Sequence, residues 1–142
     1  MVITLSLVIW LITLSVLAIE HFYLTIQAIK VRKHCVKEYA FPDDKRARAA
    51  LRAHANFCEN TPIHLLLLLG LVLLKVALIP LILLSVILII SRVAHAVSLL
   101  HFEHKSSPTY RYRRLGMLFG LFFNFVSVLF IIALIIHHHF YI

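Results

Sequence analysis

Glycine and proline are scarce: the 142 residues hold three of the first and four of the second. That excludes fibrous and proline-rich disordered chains. Cysteine is scarcer still. Cys35 and Cys58 show no metal-ligand spacing and form no disulfide framework. Cys58 falls in a helical stretch and reads as a small core residue. Cys35 falls in a basic loop and reads as a free thiol. The apolar N-terminal run lacks a basic flank and a small-residue cleavage site, so it is expected to be a retained span, not a signal peptide. No span carries the Gly/Pro interruptions expected of a transporter site, which argues against a small transporter or channel.

What is present is apolar. Hydrophobic residues make up 62% of the chain and the mean hydropathy is +0.96, against about 45–50% apolar residues in soluble domains. The usual cause is lipid as solvent. A chain of this length forms one domain. The formal charge of +8 does not point to nucleic acid. The basic residues gather at the edges of apolar runs, where they favour the cytoplasmic side and anionic lipid.

Val2–Ile19 is long enough to cross about 30 Å of hydrocarbon and continues as a helix to residue 30. Lys30–Lys45 reads as a polar loop, and Pro42-Asp43-Asp44 as a helix start with an acidic cap. Thr61–Ser91 is interrupted only by Lys75 and is too long for one crossing of about 20 residues. A hairpin turning at Lys75 and Pro80 resolves it. The expected helices cover residues 2–30, 45–74, 80–100 and 111–136. The fold class is all-α, an integral membrane four-helix bundle with left-handed up-down topology.

Charge sets the orientation. One basic loop carries Lys30, Arg32, Lys33, Lys37, Lys45 and Arg46, and the other Lys105, Arg111, Arg113 and Arg114. Both belong in the cytoplasm, with both termini outside. An odd number of spans would put these loops on opposite sides.

Arg48, Arg52, Asn56 and Glu59 follow one another at three- and four-residue spacing on the second helix, so they share one face. Ionisable groups near membrane depth face a bundle interior or a wet cavity. Two guanidiniums, an amide and a carboxylate suit a small zwitterion, because Arg binds carboxylate bidentately and Glu accepts from an ammonium. The same four residues also suit a satisfied polar seam between helices. Residue chemistry leaves both readings open. Arg92 and His95 add a second pair, for which the plainer roles are snorkelling and an interface hydrogen bond. Tyr110–Arg114 reads as a basic, aromatic membrane anchor from which one arginine can turn inward. A cation beside a bound thiol lowers its pKa and favours the thiolate. His54 and Cys58 lie on a different face from Arg52 and can meet a neighbouring helix or protomer. His137–His139 are consecutive and cannot share a helix face. No metal site is expected.

The segment Leu51–Pro62 (LRAHANFCENTP) resembles the second-helix signature of the MAPEG family, the membrane-associated proteins of eicosanoid and glutathione metabolism. Its R-A-x-x-N-x-x-E-x-x-P pattern is specific in a four-span chain of this length. Arg92-Val93-Ala94-His95 resembles the third-helix segment of the prostaglandin E synthase branch. Arg111–Met117 resembles the start of the fourth helix in small bacterial, YecN-like inner-membrane members. The resemblance covers nearly the whole chain. It implies a homotrimer with glutathione bound between neighbours near the cytoplasmic face.

On that resemblance Arg52, Asn56, Glu59 and His95 are glutathione contacts, with Arg48 at the rim and Arg92 and Tyr112 as further candidates. One of Arg111, Arg113 and Arg114 would stabilise the thiolate. Glutathione would be the co-substrate, and a hydrophobic electrophile or lipid hydroperoxide the other partner. Ala55, Asn60 and Leu99 depart from the family pattern where polar groups are usual, against an eicosanoid-type synthase. The implied activity is a glutathione transferase or peroxidase. The alternative is a non-catalytic lipid- or glutathione-binding scaffold.

Overall fold

A backbone in lipid must satisfy its N–H and C=O groups internally, so apolar runs of this length become helices. The computed structural model describes residues 4–36, 45–103 and 109–141. They form α1 (Leu5–Val36), α2 (Lys45–Leu73), α3 (Leu78–Val97), a π-helical turn (Ser98–Phe102) and α4 (Arg111–Tyr141). Among the described residues, four helices are long and apolar enough to cross a membrane. The protein is an all-α, multi-pass integral membrane protein.

Two helices outrun their expected ends. α1 continues to Val36 and takes in Lys30, Arg32, Lys33 and Cys35, which read as loop. Its 32 residues span about 48 Å at 1.5 Å per residue, well beyond about 30 Å of hydrocarbon. The basic end therefore continues as helix outside the apolar layer. α4 continues to Tyr141 and carries His137–His139 as exposed helical residues. The expected acidic cap at Asp43 and Asp44 lies outside the described residues.

The α2–α3 hairpin turns where Lys75 sits. Lys75 adopts φ 55°, its N–H donates to Val72 O at 3.1 Å, and Val76 N–H donates to Leu71 O at 3.0 Å. This is a Schellman cap with lysine in the left-handed position that glycine normally takes. Val76 and Leu71, both buried, supply its usual apolar contact. Pro80 lies in the first turn of α3, where its missing N–H costs nothing.

α1 packs on α2 and α3, while α4 packs on α3 and α2; among the described residues no Cα of α1 comes within 8 Å of one of α4. Leu17, Leu24, Leu68, Leu81, Leu88 and Phe123 centre the shared core. Hydroxyls at apolar depth fold back onto their own helix: Thr13, Ser15 and Thr25 donate to the carbonyls four residues earlier. Trp10 Nε1 donates to Leu65 O at 3.1 Å, which fixes α1 to α2. Cys58 corrects the sequence expectation. It is exposed rather than part of the core. In lipid the outer face of a helix is as apolar as the inner one, so a small soft residue carries no inward bias.

Candidate ligand site between helices two, three and four

Two glycines on α4 bring it close to α3. A Cβ on Gly116 would lie 2.7 Å from Ser91 O, and one on Gly120 would lie 2.7 Å from Arg92 Nη2. The pair is a small-xxx-small contact of the kind that lets membrane helices approach. It seats Arg92. Snorkelling was the plainer of the roles open to that side chain, and it does not hold: the side chain is only 5% exposed. Arg92 Nη2 donates to Ser91 Oγ at 2.9 Å, and Ser91 Oγ donates to Gly116 O at 2.8 Å. Arg92 Nη1 reaches Asn56 Oδ1 at 3.5 Å. The second-helix stripe and the third-helix pair thus meet at one guanidinium.

Around Arg92 lies an inner hollow of about 140 Å³, lined among others by Asn56, His64, His95, Gly120 and Asn124. Four of its buried polar atoms have no partner among the described residues: Arg92 Nε, His95 Nδ1, His64 Nδ1 and Asn124 Oδ1. An unpaired buried polar atom costs roughly 1–3 kcal/mol. Four around one small hollow mark a place for water or a polar ligand group. Glu20 of α1 interacts electrostatically with Arg92, and both its carboxylate oxygens are buried without a hydrogen-bond partner among the described residues.

One helical turn outward is a cleft of about 400 Å³, lined by Lys45, Arg48, Arg52, Glu103, Tyr110 and Arg113 together with Ala49 and Leu99. Arg113 Nη1 donates to Glu103 Oε2 at 2.8 Å. Ser98 Oγ donates to Glu103 Oε1 at 3.2 Å. Glu103 N–H closes the π turn onto Ser98 O at 3.1 Å, and this folds its carboxylate back against α3. The Arg113 guanidinium carbon stands 5.3 Å from the Tyr110 ring centroid, within cation–π range.

Cleft and hollow are consecutive along one seam. α2 contributes Arg52 to the first and Asn56 to the second, α3 and its π turn contribute Leu99 and then His95, and α4 contributes Arg113 and then Met117. The seam separates the helix-four arginines: Arg113 is half-buried at the cleft wall, whereas Arg111 and Arg114 are exposed and line neither space. Tyr112 packs on Phe102 with centroids 5.0 Å apart and lines neither. Glu59 is exposed and also lines neither.

Residues 4–135 match the MAPEG family. The chain belongs to the MAPEG family. Membership places it among membrane proteins with glutathione-related or eicosanoid-metabolic roles. No curated protein matches this MAPEG chain, and neither does any solved structure.

Sequence reasoning on this MAPEG protein missed Glu20, His64, Glu103, Tyr110 and Asn124. Glu20 had a signal: it is an acid inside a run otherwise apolar from Val2, and such acids are functional candidates. Asn124, a lone amide within the fourth span, had the same one. Glu103 had none beyond its charge, because the π turn shifts its helical phase.

Proposed function

We propose that the protein binds glutathione along this seam and uses its thiolate on hydrophobic electrophiles or lipid hydroperoxides taken from the bilayer. The observation that carries the reading is the cation-lined cleft. Four basic residues and one carboxylate line its 400 Å³, and glutathione offers two carboxylates and one ammonium. Arg48, Arg52 and Lys45 take the carboxylates; Arg52 can do so bidentately. Glu103 takes the ammonium. Arg113 supplies the charge that lowers the thiol pKa. Asn56 and His95, one turn inward with Arg92, hold the peptide groups.

The thiolate then attacks an electrophilic carbon, forming the S–C bond, and the displaced group leaves with its bonding pair. With a lipid hydroperoxide it attacks the terminal oxygen. The O–O bond breaks to give an alcohol, and a second glutathione turns the resulting sulfenic acid into disulfide and water. Such activation by charge and position needs no protein nucleophile.

The resemblance and the charge pattern support the rest of the reading: a homotrimer, akin to the YecN-like bacterial inner-membrane members, with its site on the cytoplasmic side and both termini outside. In such a trimer Glu59 contacts glutathione across a protomer boundary. The Arg113–Glu103 pair favours a second reading, a lipid- or glutathione-binding scaffold without catalysis, because a paired guanidinium lends less charge to a thiolate. Ultraviolet absorbance of bound glutathione decides between them. A thiolate band lost in Arg113→Ala supports catalysis; binding without the band supports the scaffold.

A further inference from the structure

On the opposite side of α2 from the cleft, α1 brings His21 against His54 and Cys58. Cys58 Sγ lies 3.5 Å from His21 Nε2 and 3.7 Å from His54 Nε2. Ligand atoms of the three residues all fall within 4.8 Å of one another. The two imidazoles face each other with centroids 5.5 Å apart. None of the three lines the glutathione seam.

We infer that His21, His54 and Cys58 form a binding site for a Zn²⁺-class transition-metal cation. A tetrahedral Zn²⁺ with Zn–S about 2.3 Å and Zn–N about 2.0–2.1 Å sets its ligand atoms about 3.3–3.6 Å apart. The observed sulfur–nitrogen separations already stand close to that spacing. His54 and Cys58 are four residues apart and so project from one face of α2. His21 is fixed across the helix pair by the packing of α1, so the ligands come from two rigid elements.

The donor set selects the ion. Two imidazoles and a thiolate favour Zn²⁺, Co²⁺ or copper over Mg²⁺ and Ca²⁺, which prefer oxygen ligands. The protein environment agrees. A thiol is a weak donor with one proton, so it cannot satisfy both imidazoles. One cation satisfies all three as the thiol releases its proton to solvent. Three protein ligands leave a fourth position for water or an exchangeable ligand. The cluster borders an apolar groove of about 340 Å³ whose walls include Leu14, Leu17, Phe57, Pro62 and Leu65, so the ligand reaching that position can be amphipathic.

The experiment is a Co²⁺ and Zn²⁺ titration of the full chain, purified in detergent and stripped with a chelator. Co²⁺ should produce a near-ultraviolet thiolate-to-metal charge-transfer band that stoichiometric Zn²⁺ bleaches. Cys58→Ser should abolish the band and Cys35→Ser should leave it. His21→Ala and His54→Ala should each weaken Zn²⁺ binding by at least about 10-fold, the lower range for loss of even an outer-shell group. The unaltered protein gives a second readout: Zn²⁺ should slow alkylation of Cys58. The inference is overturned if no thiolate band forms, if the band survives in Cys58→Ser, or if Zn²⁺ leaves the alkylation rate unchanged. Binding that persists in all three variants and disappears when His137–His139 are replaced by alanine also overturns it.

Discussion

The Arg113 guanidinium donates to the Glu103 carboxylate at 2.8 Å. Glu103 is the more enclosed partner, with a side chain 9% exposed against 28% for Arg113. Ser98 holds its other oxygen, so the carboxylate is fixed and the guanidinium is the adjustable member. The pair shapes the cleft wall and also limits how much charge Arg113 lends to a bound thiol. A nearby cation lowers a thiol pKa, and a compensating carboxylate offsets that effect. Glu103→Gln should therefore raise the thiolate fraction of bound glutathione several-fold at fixed pH and saturating glutathione. Arg113→Ala should remove it. Ultraviolet difference absorbance reads both, and an unchanged band in Glu103→Gln would show that the pair does not govern the thiol.

The glycines of α4 should rank by what their new methyl meets. At Gly116 it meets backbone, Ser91 O at 2.7 Å and His95 N at 2.9 Å. At Gly120 it meets the end of the Arg92 side chain at 2.7 Å. At Gly70 the nearest atom is Ile131 Cδ1 at 3.5 Å, an ordinary contact. Overpacking costs about 1–3 kcal/mol. Thermal unfolding in detergent should place Gly116→Ala as the most damaging, Gly120→Ala next, and Gly70→Ala near neutral or slightly stabilising.

Arg92 and Glu20 should couple. Among the described residues the Glu20 carboxylate accepts no hydrogen bond, so the two charges influence each other through space rather than through a contact. Arg92→Met should lower stability, and adding Glu20→Gln should restore part of the loss. A double-mutant cycle on unfolding free energies measures the coupling. Strict additivity would mean the two charges act independently.

Lys75 holds a backbone conformation, φ 55°, that costs an ordinary L-residue about 1–2 kcal/mol. Lys75→Gly should raise stability by about 1 kcal/mol, read as a higher unfolding midpoint. A lower midpoint would show that the lysine side chain contributes more than its backbone strain costs.

The spans and the hairpin were legible because lipid imposes long apolar runs and because Lys75 and Pro80 interrupt one of them. The shared face of Arg52 and Asn56 was legible from helical period alone. Which helix-four arginine turns inward was not. Arg111, Arg113 and Arg114 differ only in phase, and phase against α3 depends on how closely Gly116 and Gly120 let the helices approach. Glu103 escaped because a π turn breaks the period on which such readings rest. The face carrying His54 and Cys58 was visible, but its third member was not, since His21 lies on another helix and only packing joins them.

The most direct test is a glutathione titration of the detergent-purified protein, followed by calorimetry, alongside Arg52→Ala and Arg111→Ala. Arg52 lines the cleft and Arg111 does not. The account predicts saturable binding that weakens roughly 10- to 100-fold in Arg52→Ala, as expected for loss of a charge-assisted contact, and is unchanged in Arg111→Ala. No binding by the unaltered protein, or equal binding by all three, would contradict it.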